Sequence, residues 1–275
     1  MNNGQLSFKY CKSSDDFKQI QKLHKEIWGL KDVDVTPGHI YSAIINNGGL
    51  VIIAYLKNMP AGYIFGFPGH RGGEKYFYIH NIGVHYACRN QGIGLKLKLQ
   101  MASEILNRGF TIIKWTYDPL DTKNANLYIR KLNGVPKEYI PNYYGEMLDE
   151  INKGVASNRL IISWDLSKVD ISELEHRNVQ KEPSIDTYIS LLSTARNQNG
   201  DLKVIGISQP ENIHSLYKIP VPVNMEAIKL HDKQLAQKWS VHISTILDLC
   251  YKNHIRITNI FYNKKEFYYL LERQK

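Results

Sequence analysis

The sequence predicts a mixed α/β (α+β) fold, in which an antiparallel meander leads into a β-α-β unit. Three observations carry this expectation. Two amphipathic stretches open the readable pattern, three β-branched and aromatic runs follow at short spacing, and the third run enters a glycine-containing loop with a helix directly behind it.

Ser13-Ser14-Asp15-Asp16 precedes apolar residues at Phe17, Ile20, Leu23 and Ile27, a helical stripe behind polar capping residues, with Gly29 as its stop. Thr36-Pro37 marks a second helix start, with Ile40, Ala43 and Ile44 on its buried side and an end at Asn46-Asn47-Gly48-Gly49. The chain is therefore expected to begin with two helices. Leu50–Leu56 and Ala61–Phe67, joined through residues 57–60, read as a hairpin, and Tyr76–His85 as a third strand. Gly83 inside that strand suggests a bulge or a close approach by a ligand. Residues 95–108 form a helix by period, Phe110–Tyr117 a strand, Asn124–Leu132 a short helix, and Leu160–Leu166 a further strand.

Charged residues dominate 167–184, which reads as a linker, so the expected division is a domain over 1–166 and an α+β extension over 185–275. In that extension, Ile219-Pro220-Val221-Pro222-Val223 reads as an edge strand because proline donates no ladder bond. A long helix around 232–252 follows, then strands at 256–261 and 266–271. The extension packs on or completes the first domain. Either it covers a substrate cleft or it forms a homodimer surface.

Cys11, Cys88 and Cys250 are odd in number, far apart and without C-x-x-C spacing, which argues against a disulfide framework or a zinc site and for reduced thiols in a cytoplasmic protein. The polar start Met1-Asn2-Asn3-Gly4-Gln5 and the shortness of the longest apolar run, Leu50–Leu56, give no expectation of export or of a membrane partner. The formal charge of +9 calls for a polyanionic partner. Residues 81–134 hold eight Lys and Arg against three Asp and Glu, which favours a local anion site over a uniformly basic surface. No helix-turn-helix pattern, zinc ligand set or RNP-like run supports nucleic acid as that partner.

The chemistry centres on Arg89-Asn90-Gln91-Gly92-Ile93-Gly94, between a strand and a helix. Such a loop aims consecutive amides and the positive end of a helix dipole at one small space, and its glycines let a phosphate come close. Read from the residues alone, it is either an anion cradle or a plain connecting turn. A P-loop is set aside because no lysine and Ser/Thr pair follows the glycines, and a dinucleotide fingerprint because the third glycine is missing.

In context, the loop resembles motif A of the GNAT acetyltransferase superfamily, Q/R-x-x-G-x-G/A after a bulged strand. Asn124-Ala125-Asn126-Leu127-Tyr128, followed by Lys131-Leu132-Asn133-Gly134, extends the likeness. Trp115-Thr116-Tyr117-Asp118-Pro119-Leu120, Tyr143-Tyr144-Gly145 and Asn158-Arg159-Leu160 are similar to a branch sharing a WTFDPL-like run. The superfamily likeness spans about residues 6–166, and the branch likeness continues into 219–273. It implies a mixed, mostly antiparallel central sheet with a β-α-β cofactor-binding core flanked by helices.

It also implies an N-acyltransferase that moves an acyl group from acetyl-CoA, or another acyl-CoA, directly to a small-molecule amine without a metal. Two alternatives stay open: a catalytically silent acyl-CoA binder, and an enzyme whose donor is an acyl carrier protein. By the same resemblance, main-chain groups of Asn81, Ile82, Gly83 and Val84 pair with the thioester and pantetheine, and Arg89, Asn90, Gln91, Gly92, Ile93 and Gly94 hold the pyrophosphate, with Asn124 and Tyr128 also touching the donor. Tyr128 is the candidate acid for the leaving thiolate and His80 the candidate base, against core readings of both side chains. Asp118 and Glu146 could hold or relay the proton of a cationic acceptor, Asp118 being equally a turn carboxylate.

Overall fold

The computed structural model describes residues 6–145, 155–175, 182–211 and 214–274. It divides the chain into two compact units, one of residues 1–115 with 165–176, the other of 116–164 with 177–275. The expected division near 166 is thus not where the contacts divide. Residues 167–175, within the stretch assigned to a linker from its charge, include buried Leu174 and belong to the first unit, as does Leu166 before them, whose amide donates to the Thr111 carbonyl at 2.8 Å.

The first unit is built on strands in the order β1 (Leu6–Tyr10), β2 (Leu50–Leu56), β3 (Met59–Arg71), β4 (Glu74–Val84) and β5 (Ile112–Tyr117), antiparallel except for the β4–β5 pair. β1 corrects the expectation that the chain begins with helices. Only Leu6, Phe8 and Tyr10 alternate in this five-residue strand, too short a run to register as a period beside the helix behind it. The β2–β3 hairpin turns on Lys57 and Asn58 alone, both left-handed at φ of 50° and 64°, the geometry that matches the twist of the flanking strands.

Helix α1 (Ser14–Trp28) starts at a capping box, Ser13 Oγ accepting from the Asp16 amide and Asp16 Oδ2 from the Ser13 amide. It ends at Gly29 with φ of 63°. Helix α2 (Gly38–Asn46) begins one residue later than expected, with Pro37 outside it as the N-cap. Phe17, Ile20 and Leu23 of α1 and Tyr41 of α2 pack on Val51, Ile53, Tyr63 and Phe65, the residues that alternation puts on one face of the sheet. Helix α3 (Ile93–Asn107) takes the opposite face, where Leu97, Met101, Ala102 and Ile105 are buried. A short α5 (Ile171–Leu174) closes the unit.

The second unit includes α4 (Thr122–Ala125), the antiparallel pair β6 (Val135–Ile140) and β7 (Arg159–Asp165), and the hairpin of β9 (Leu192–Arg196) with β10 (Leu202–Ile207). A four-stranded sheet runs β12 (Ile255–Tyr262), β13 (Phe267–Arg273), β11 (Leu216–Val221), β8 (Ile189–Ser190). Helix α6 (Met225–His231) precedes α7 (Lys233–Lys252), whose buried stripe runs through Trp239, Ile243, Ile246 and Cys250. β11 is not the edge strand that its prolines suggested. β13 pairs along its whole length, but on the other side β8 reaches only Tyr217 and Lys218, so Pro220 stands beyond the ladder that would need its N–H.

Gly83 turns out to serve packing. A Cβ there would lie 3.1 Å from both Ile27 Cδ1 and Tyr63 Cε1, so any larger residue would make α1 or the Tyr63 ring give way by a few tenths of an ångström. Gly83→Ala is expected to cost about 1–3 kcal/mol in urea unfolding, and Ile27→Val, which removes the nearer methyl, to recover part of it. An alanine variant as stable as the parent would contradict this account.

Candidate functional site

The β3–β4 ladder shifts register at one place. Phe65 faces Asn81 and Gly66 faces Ile79, so His80 is the extra residue of a bulge. The bulge expected from Gly83 is real but sits three residues earlier. Its consequence is geometric: on the far side of the bulge the alternation is reset, and His80 and Asn81 both stand on the α1 face.

Around Asn81 a chain of side-chain hydrogen bonds runs in one direction. Trp28 Nε1–H donates to Tyr63 Oη at 3.1 Å, the Tyr63 hydroxyl to Asn81 Oδ1 at 3.1 Å, and Asn81 Nδ2–H lies 3.4 Å from His24 Nε2. Because Asn81 arrives as a donor, His24 Nε2 must be the lone-pair nitrogen and Nδ1 carries the proton. That Nδ1 is buried and has no hydrogen-bond partner among the described residues. Desolvation, with the nearby His80 adding to it, pushes the His24 pKa down to about 4. None of Trp28, Tyr63 or His24 stood out in the sequence, since each falls on an apolar stripe and reads there as core.

His80 itself is exposed, contrary to the reading of a core histidine, yet it is ringed by Phe65, Phe67 and Tyr78 at centroid distances of 5.3, 6.1 and 6.4 Å. Those rings keep water from part of the imidazole, and its pKa is lowered by desolvation. The shift favours the neutral form of the ring.

Beyond the bulge, β4 offers main chain. Its ladder with β5 consists of Phe77↔Ile113 and Tyr78↔Lys114 and goes no further, so from Ile79 to Val84 the side of β4 away from β3 carries no ladder partner among the described residues. Asn81, Ile82, Gly83 and Val84 all lie in this stretch. The next turn leads into Arg89, Asn90, Gln91 and Gly92, all exposed, with left-handed φ at Asn90 (63°) and Gly92 (77°).

Gly92 is the N-cap of α3 and no side chain caps that helix; its first turn holds no acidic residue. The amides at its start are thus open to an external acceptor. Gly94 sharpens the point. A Cβ there would meet only Val84 Cγ2, at an ordinary 3.8 Å, so the protein's own packing does not require glycine in this first turn. A glycine there leaves room for a group from outside to approach the backbone. Arg89 lies at the loop's start with Nε 3.4 Å from the Val84 carbonyl. One basic residue was overlooked: Lys98, four positions after Gly94, is fully buried with Nζ 3.6 Å over the Trp115 ring.

The other expected residues belong to the second unit, and the structure revises most of them. Asp118 is taken up internally, Oδ1 accepting from the Leu120 amide at 2.9 Å and Oδ2 facing Lys229 Nζ at 3.2 Å; this is the turn carboxylate, paired, and not a free acceptor-binding group. Asn124 donates both its amide and its side-chain Nδ2 to Asp121, the N-cap of α4, so these two donors serve the helix start. Tyr128 is buried in a π-helical turn over Asn126–Lys131, edge-on to Tyr117 at 5.5 Å, with its pKa raised by desolvation. Such a phenol is a poorer acid than a free one, which counts against proton delivery. Glu146 lies outside the described residues. Among those residues no group of His, Cys, Asp and Glu is arranged to hold a metal ion, and no helix is long and apolar enough to cross a membrane.

A neutral His24 in the fold implies a pH dependence with a definite sign. Between about pH 6.5 and 4 the unfolded chain takes up a proton at this site and the folded one does not, so stability falls on acidification through that window, by on the order of 3 kcal/mol at its lower end. Thermal melts from pH 7.5 to 4.5 should show the loss, and His24→Gln should flatten it. An unchanged slope in the variant would assign the acid sensitivity elsewhere.

Residues 16–134 match the model of the acetyltransferase (GNAT) family. Among solved structures, an N-acetyltransferase from Staphylococcus aureus Mu50 is similar at 13% identity and TM-score 0.50, covering 59% of this chain and 99% of its own. Arabidopsis thaliana Naa50 in complex with a bisubstrate analogue matches at 17% identity and TM-score 0.47, over 57% of this chain and 97% of its own. The ribosomal-protein-S18-alanine N-acetyltransferase from Escherichia coli matches at 13% identity and TM-score 0.47, over 60% and 97%. A comparison with curated protein sequences finds no match.

Proposed function

Taking as premise that residues 16–134 form a GNAT acetyltransferase domain, we propose that this chain transfers an acyl group, by default acetyl, from acyl-CoA to a small primary amine. The observation that carries the donor half is Gly94: a glycine that the protein's own contacts do not demand, at an uncapped helix N-terminus, behind a strand edge with no ladder partner.

The amides following Gln91 and Gly92 would hold the pyrophosphate, with Arg89 adding charge, and the main chain of Asn81 to Val84 would pair with the pantetheine arm. When bound, acyl-CoA supplies the acyl group as a thioester, whose carbonyl carbon the amine nitrogen attacks as the C–S bond breaks. His80 would hold the proton that the amine gives up, its lowered pKa keeping it unprotonated beforehand. The departing thiolate takes its proton from solvent. Asp118 and the side-chain donor of Asn124 are left out of this reading because they are engaged within the protein.

Calorimetry with acetyl-CoA tests the donor site. Binding at micromolar concentration, weakened at least about tenfold by Gly94→Asp, is expected, since a carboxylate there opposes the pyrophosphate and replaces the open approach. Gly94→Ala should fold normally and still weaken binding. No binding of any CoA species would sink the reading. Thiol release in an amine screen then tests the base: His80→Gln should lower kcat by about a hundredfold or more and abolish the acidic limb of the pH profile, whereas Tyr128→Phe should cost no more than about tenfold. A variant at His80 with wild-type kcat would remove it from the mechanism.

A further inference from the structure

On the face that carries α1 and α2, Tyr63 and Phe65 are buried, but the next positions outward are not. Phe67 on β3 and Tyr78 on β4 are half-buried and His80 is exposed, with Phe67 5.7 Å from Tyr78 and 6.1 Å from His80 between ring centroids. Three aromatic rings thus form an open row around the nitrogen proposed as the base. Farther along β4, the same face already seats an ammonium on an aromatic ring, with Lys114 Nζ 4.5 Å over Tyr76. The carboxylate there, Glu74, is committed to Lys114 in an ion pair.

We propose that Phe67, Tyr78 and His80 are the docking place of the acceptor, which arrives as a cationic primary ammonium held by aromatic faces and not by a carboxylate. The proposal rests on the acyltransfer reading above and adds to it the acceptor's charge state and place. A primary amine is an ammonium at neutral pH, its pKa being about 10.4, and it must both be recognised and lose a proton. Aromatic faces attract the cation through their quadrupole and hold it next to an imidazole that can take its proton. His80, within the row, is where the proton goes. Selection by rings instead of by a counter-ion also predicts which cations bind: those with no N–H to donate should be held as well, and anions excluded.

Choline and its uncharged carbon isostere are the probes, titrated into the full chain while the His80 ring resonance, assigned with His80→Gln, is followed by NMR. Choline should shift that resonance with millimolar affinity, and the isostere should bind at least about fivefold more weakly. Phe67→Leu and Tyr78→Leu should each weaken choline by about fivefold while leaving acetyl-CoA binding within about twofold, because neither residue contributes to the cradle. Should a leucine variant not fold, the choline and isostere pair on the unaltered chain still decides. Equal affinity for both probes, or no shift with choline while acetyl-CoA binds, would overturn the proposal and leave the donor reading in place. Failure of acetyl-CoA itself to bind would overturn the donor reading and the acceptor role together.

Discussion

One extra residue in one strand organises the candidate site. If β4 paired with β3 in unbroken register, Asn81 would point to the α3 face and only every second residue would reach α1. The bulge at His80 brings two consecutive polar side chains to the same side, one exposed among aromatic rings and one tied into the relay from Trp28 through Tyr63 to His24. A bulge also bends and twists the strand that carries it. Here it follows the last pair that β4 makes with β5, so the residues on which main-chain recognition would rest are those where the strand has left its parallel neighbour.

The relay explains why such an irregularity holds still. A bulge leaves ladder groups unsatisfied and is kept in place only if something else fixes the strand beyond it. Asn81 is held from both sides, by Tyr63 on β3 and His24 on α1, and α1 in turn settles into the space that Gly83 leaves open. Helix, strand and bulge therefore constrain one another. The cost is the buried Nδ1–H of His24 without a partner, an unsatisfied donor of the sort tolerated where geometry matters more than stability.

Much of the fold was legible because its signals are local: the helical stripe of Phe17, Ile20 and Leu23, the Lys57-Asn58 turn region, and the strand–glycine loop–helix sequence from Tyr76 to Asn107. The backbone geometry of the candidate cradle was legible for the same reason, since a glycine at positive φ and an uncapped helix start are written in six consecutive residues. What escaped depends on contacts between residues distant in sequence. His24 and Tyr63 meet Asn81 across 57 and 18 positions, and on their own elements they look like core. Asp118 and Asn124 misled in the opposite sense. Their motif pointed to a ligand, while Lys229, 111 residues on, and Asp121 take their polar atoms. Gly83 was read as a bulge or as space for a ligand; the bulge lies at His80, and Gly83 leaves space for Ile27.

The two halves of the proposed chemistry are recognised by different physics, and this is why one half was so much easier to find. A pyrophosphate is met by amides, whose presentation depends on backbone shape and leaves glycines as its trace in the sequence. An ammonium met by ring faces leaves only aromatic residues on strands, which is also the signature of an ordinary sheet core. Phe65 and Phe67 are alike in sequence, one buried and one half-open, and only the extent of α1 and α2 over the sheet distinguishes them. On this proposal, a basic cradle for the donor and an uncharged aromatic row for the acceptor would also keep the two ligands from competing, since an anion has no reason to occupy the row and a cation none to occupy the cradle.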